Sequence, residues 1–121
     1  MLCAGFVPID RVNIRDAMRS LDKAAARIKK GLSVVIYPEG TRTKTGSVDE
    51  FRRGMFFLAD KSQADIIPVS LSGTFELMPT GSAKVKSGTV NMVIGKPLKY
   101  RKDKELLNEV RNTVIENLKP V

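Results

Sequence analysis

Apolar and polar positions along this chain alternate between two periods, and the elements follow from where the period changes. Asn13 is a good N-cap with Asp16 three residues on, and Ile14, Ala17, Met18, Leu21, Ala24, Ala25 and Ile28 fall on one face at three-and-four spacing, which predicts a helix that Gly31 ends. Leu32-Ser33-Val34-Val35-Ile36-Tyr37 then reads as a short buried strand, stopped where Pro38 withholds its N–H. Lys44-Thr45-Gly46-Ser47 predicts a turn, and Phe51 to Lys61 a helix despite Gly54. The bulky Phe51, Met55, Phe56 and Leu58 could line the path of a long apolar ligand, but apolar stripes at helical spacing are usually core, and core is the expectation here.

Ile66 to Leu71 predicts a second strand with Pro68 at its end or edge, and Thr89 to Ile94 a third, with Gly95-Lys96-Pro97-Leu98 turning the chain away. Ser72-Gly73-Thr74, Met78 to Ser82 and Lys84 to Gly88 read as loops and turns. A last helix, capped by Asp103, buries Leu106, Leu107, Val110, Val114 and Leu118. Near the start, Gly5-Phe6-Val7-Pro8-Ile9-Asp10-Arg11 is extended, with Pro8 favouring an edge strand or loop. The alternation of strands and helices predicts an α/β fold, a mixed β-sheet with flanking helices.

Composition narrows this further. A length of 121 residues with 42% hydrophobic content suits one domain, spanning 1–121, with its own core. No apolar run approaches the ~20 residues that cross a bilayer, and the N-terminus lacks a signal-peptide layout, so the expectation is a soluble or peripheral chain. The single cysteine, Cys3, cannot form an internal disulfide, and the absence of histidine excludes Cys-His and Ser-His nucleophiles and His-rich metal sites, so no metal is expected. A reducing, cytosolic setting fits. The net charge of +8, from 21 Lys and Arg against 13 Asp and Glu, calls for an anionic partner: a phosphorylated ligand, an acidic protein, nucleic acid or a membrane surface.

The candidate chemistry lies in Tyr37-Pro38-Glu39-Gly40-Thr41-Arg42-Thr43, a loop leaving a strand end, where α/β proteins usually place ligands. Gly40 permits close backbone approach, Thr41 and Thr43 carry hydroxyl donors, and Arg42 supplies a planar fork matching two phosphate oxygens. The same residues also suit an ordinary turn. A carboxylate beside a phosphate repels it, so Glu39 is expected to orient Arg42 or another arginine rather than touch the ligand.

With these residues laid out, the chain resembles the glycerolipid acyltransferases, most closely those acting on 1-acylglycerol 3-phosphate. Gly5 to Arg11 is similar to the family's second block, Tyr37 to Thr43 to its third and Ile67-Pro68-Val69 to its fourth, the third being by far the most specific. The resemblance implies transfer of a fatty acyl group from a coenzyme A or acyl-carrier-protein thioester, a co-substrate rather than a cofactor, to the free hydroxyl of lysophosphatidic acid, yielding phosphatidic acid. It implies that Arg11, Gly40, Thr41 and Arg42 hold the acceptor phosphate, supported by Asp10, Glu39 and Thr43, with each acid holding an arginine fork in place. A phosphate monoester carries about −1.5 to −2 charges near neutrality and is matched by two arginines better than by one.

The sequence departs from the family at one point. The first block, a histidine followed after four residues by an aspartate, supplies the base in family members and lies upstream of the second, yet this chain has no histidine and hence no assignable catalytic residue. The expectation is a carboxyl-terminal portion that keeps the binding half, is inactive alone, self-associates through uncovered apolar surface, and meets an anionic membrane peripherally from the cytoplasmic side. Two other classes compete. A nucleic-acid module gains little from a chain with no tryptophan, two tyrosines and no interleaving of aromatic and basic residues, and nucleic acid is not an expected partner. A protein-interaction module with vestigial motifs would bind neither lipid phosphate nor nucleotide.

Overall fold

The computed structural model describes residues 12–119, so expectations for Gly5 to Arg11, with Asp10 and Arg11 among them, lie outside the described residues. In chain order the elements are α1 (Ile14–Lys29), α2 (Gly54–Ser62), β1 (Val69–Ser72), a single turn α3 (Thr74–Leu77), β2 (Asn91–Ile94) and α4 (Glu105–Glu116).

Local signals explain the ends of α1. Asn13 Oδ1 accepts from the N–H groups of Arg15 at 3.0 Å and Asp16 at 3.4 Å. At the other end Gly31, at φ 89°, donates to Ile28 C=O, and Leu32 donates to Arg27 C=O, the paired reverse bonds of a glycine-closed helix. Only part of the expected apolar face is used: Leu21, Ala24 and Ala25 are buried, whereas Ile14 is 82% exposed. The small Ala24 and Ala25 bring α1 close to α2, whose Leu58 completes this cluster, and Gly54 opens α2 rather than interrupting it.

A second cluster holds Met55 of α2 with Leu106 and Val110 of α4. Helix α2 is thus the shared wall, and Ile36 packs against both clusters. Phe51, Met55 and Leu58 are core residues, and Phe56 tilts against Tyr100 at 6.5 Å, so these side chains pack as the core reading expected. The Tyr100 hydroxyl donates to the Asp60 carboxylate, which raises its pKa above the ordinary tyrosine value.

The strands differ from expectation in detail. Leu32 to Tyr37 joins no strand ladder among the described residues, and its burial alternates: Val34 and Ile36 pack against the core, while Val35 is 81% and Tyr37 76% exposed. Its apolar run marked a segment packed on one face rather than a strand buried on both. The sheet consists of β1 and β2, antiparallel, with Val69 opposite Ile94 and Leu71 opposite Met92. Pro68 falls just before β1, where its carbonyl accepts from Gly95, and Ile66 bridges Leu98 beyond it. Gly95, Lys96 and Pro97 therefore oppose only Ile67 and Pro68, a bulge that removes the need for a donor at Pro68.

The inner face of β1 is polar and satisfied. Buried Ser70 donates through Oγ to Val114 C=O at 2.8 Å, and Ser72 Oγ accepts from Lys119 N–H at 3.1 Å, fastening the sheet to the end of α4. Val69, Leu71, Met92 and Ile94 share the outer, exposed face. Helix α4 begins where Asp103 Oδ1 accepts from Glu105 N–H at 3.0 Å, and its Leu106 is fully buried.

Candidate functional site

Ile36, anchored in both core clusters, delivers the chain into the turn Tyr37 to Gly40, closed by the Gly40 N–H donating to Tyr37 C=O at 3.0 Å. Gly40 sits at φ 72°, where a side chain would be strained. A Cβ there would also stand 2.7 Å from Arg52 Nε and 2.9 Å from Arg52 Cδ. The group that approaches this glycine is the Arg52 side chain, where the sequence suggested a ligand.

Glu39 corrects a second expectation. Among the described residues no arginine pairs with its carboxylate, which instead accepts the Asp49 N–H at 2.9 Å. The arginine contact is made by the Glu39 carbonyl, which accepts from Arg52 Nε at 3.2 Å, while Arg52 N–H donates to Pro38 C=O at 2.8 Å. An acid bonded to a backbone amide ten residues away fastens two loop segments and leaves Arg42 unheld by it.

Thr41 and Arg42 leave the turn exposed. Thr43 faces the loop: its Oγ1 accepts from Thr45 N–H at 3.3 Å and Gly46 N–H at 3.0 Å, and its carbonyl accepts from Thr80 Oγ1. Its hydroxyl oxygen shapes the Lys44 to Ser47 turn that the sequence predicted.

An open groove of about 600 Å³ adjoins the turn, with Thr41, Arg52 and Arg53 supplying donors and Glu39, Asp49 and Glu50 supplying acids. Arg42 lies outside its lining. The groove thus sets one hydroxyl and two guanidinium groups beside three carboxylates, of which Glu39 is bonded to the Asp49 N–H, while Thr41 and Arg42 stand exposed on the turn. Among the described residues no three His, Cys, Asp or Glu side chains are grouped to hold a metal ion.

Sequence reasoning missed Arg52 and Arg53 as residues lining the groove, although the pair stands just before Gly54, because the pattern there predicts only a helix. It also missed Arg111 of α4, whose Nε donates to Asp49 C=O at 2.9 Å and whose Nη2 donates to Val48 C=O at 2.7 Å. No local pattern announces a bond spanning 62 residues.

Comparison with known proteins places these features in a family. A family model described as acyltransferase matches residues 1–72. The chain is 37% identical over 119 residues to the chloroplastic 1-acyl-sn-glycerol-3-phosphate acyltransferase LPAT1 of Arabidopsis thaliana, covering 98% of this chain and 33% of that protein. It is likewise 37% identical to the chloroplastic enzyme BAT2 of Brassica napus, covering 98% of this chain and 35% of that one. The crystal structure of PlsC, the 1-acyl-sn-glycerophosphate (LPA) acyltransferase of Thermotoga maritima, matches with a TM-score of 0.76 at 30% identity, over 85% of this chain and 47% of that chain. The chain thus spans about a third of the length of these two plant relatives.

Proposed function

The chain belongs to the acyltransferase family, and on that premise we propose that it carries the acceptor-phosphate site of an enzyme that transfers a fatty acyl group from an acyl-coenzyme A or acyl-carrier-protein thioester to lysophosphatidic acid, giving phosphatidic acid. The thioester is a co-substrate, and no cofactor is involved. The observation that carries this reading is the exposed pair Thr41 and Arg42 leaving a turn that is itself stitched to Asp49 and Arg52 and anchored through Ile36 in the core. Donors held on a fixed backbone lose little freedom when an anion arrives. Arg52 and Arg53 of the neighbouring groove add charge that a dianionic phosphate monoester uses. Arg11 would join them from the second sequence block.

Replacing Arg42 with alanine is expected to weaken lysophosphatidic acid binding roughly ten- to hundredfold, the usual worth of charge-assisted bonds. Arg42→Lys should recover only part of it, since an ammonium keeps the charge but not the fork. Isothermal titration that finds both variants at wild-type affinity would remove Arg42 from the site.

The acceptor lives in a bilayer, and we place the chain peripherally at the cytoplasmic side of an anionic membrane. Its +8 charge supports this, as do the exposed Val12, Ile14 and Met18 beside Arg15 and Arg19 on α1. No helix among the described residues is long and apolar enough to cross a membrane. Each basic residue at an anionic surface contributes about 1 kcal/mol, screened over roughly 8 Å at physiological salt. Co-sedimentation with anionic vesicles should therefore fade as salt rises, and equal binding to neutral vesicles would refute the placement.

A further inference from the structure

We infer that Arg111 on α4 is a positioning residue for the phosphate-binding turn, acting through a single peptide group. This rests on the reading of Thr41 and Arg42 as phosphate ligands. The peptide between Val48 and Asp49 is held at both ends: its carbonyl accepts Arg111 Nη2 at 2.7 Å, and its N–H donates to Glu39 Oε2 at 2.9 Å. A guanidinium on the oxygen and a carboxylate on the hydrogen polarise the peptide in the same sense, so each bond strengthens the other. Arg111 Nε takes the next carbonyl, that of Asp49, at 2.9 Å, which fixes the fork's plane.

The grip continues into the turn. Glu39 is the turn residue whose carboxylate ends this relay, and its own carbonyl is bonded by Arg52 Nε, while Pro38 C=O is bonded by Arg52 N–H. Arg111 itself stands next to Val110, a core residue, so its base is fixed to the cluster that also receives Ile36 at the root of the turn. The turn is therefore held from the segment that leads into it, through Ile36, and, independently, from α4. Thr41 and Arg42 follow directly from the Glu39-Gly40 unit that this relay orients. Without Arg111, the segment around Asp49 loses the donors on two successive carbonyls, and Glu39 loses a fixed partner.

The test uses the 121-residue chain with glycerol 3-phosphate as a soluble phosphate monoester, followed by the amide signals of Gly40 and Thr41 at a temperature well below unfolding. Arg111→Met should raise the dissociation constant about tenfold, Glu39→Ala should do so by a similar factor, and the double variant should be no worse than either single one, because both cut the same relay. Arg111→Lys, which keeps charge and one donor, should recover part of the loss and serves as the folded variant should the methionine one not fold. A purely structural Arg111 would lower the melting temperature and leave the affinity of the folded protein unchanged. That result, or full additivity with Glu39→Ala, overturns the inference while leaving the phosphate site standing. A wild-type chain that binds no glycerol 3-phosphate overturns the phosphate reading and the inference with it.

Discussion

Mixed with acyl-coenzyme A and lysophosphatidic acid, the 121-residue chain is expected to release no thiol above the uncatalysed background. An alcohol attacks a thioester at neutral pH only when a positioned base takes its proton, and that base is typically worth 10²–10⁴-fold. The family resemblance assigns this task to a histidine, and the chain contains none. The acid nearest the proposed ligands, Glu39, has its carboxylate bound to the Asp49 N–H, where it orients a loop rather than an acceptor hydroxyl. Asp49 and Glu50 stand exposed at the groove, open to solvent. Binding and turnover should thus separate: phosphate affinity present, acyl transfer absent. Thiol release within tenfold of the Thermotoga maritima relative assayed alongside would show that another residue serves as base.

What the sequence disclosed depended on the range of the interaction. Asn13 and Gly31 act on neighbours within four residues, and their caps are found where the local pattern placed them, while Asp103 bonds the Glu105 N–H from one residue ahead of the N-cap, Lys104. The stripe Leu106, Leu107 and Val110 was legible because helical period fixes which residues share a face. The segment Leu32 to Tyr37 misled because an apolar run records a preference for burial without saying whether a partner strand lies beside it. In the site, the turn and its glycine were legible, but the reason for the glycine was not: Arg52 fills the space that a ligand was expected to use. Glu39 has as its partner a backbone amide donor, where a charge argument selects an arginine. Arg111 lay beyond reach, since only the packed α4 brings it to Asp49.

Leu106→Ala is expected to be the most destabilising single substitution in the core, by about 2–5 kcal/mol. Leu106 is fully buried, and it fills the space among Met55, Val110, Ile36 and Ile66 where α4 meets α2 and the root of the site turn. Truncation removes its transfer free energy and leaves a cavity that neighbours on three separate segments cannot all collapse into. Small domains are stable by about 5–15 kcal/mol, so the loss takes a large share of the whole. Ile115, on the same helix but 40% exposed, is the control, and its alanine variant should lose far less. Urea denaturation followed by circular dichroism gives both values at unchanged slope, and an Ile115→Ala loss equal to or above that of Leu106→Ala would show that α4 is not seated by this cluster. Because Val110 shares the cluster and carries Arg111 beside it, loosening α4 should also weaken glycerol 3-phosphate binding in the fraction that remains folded.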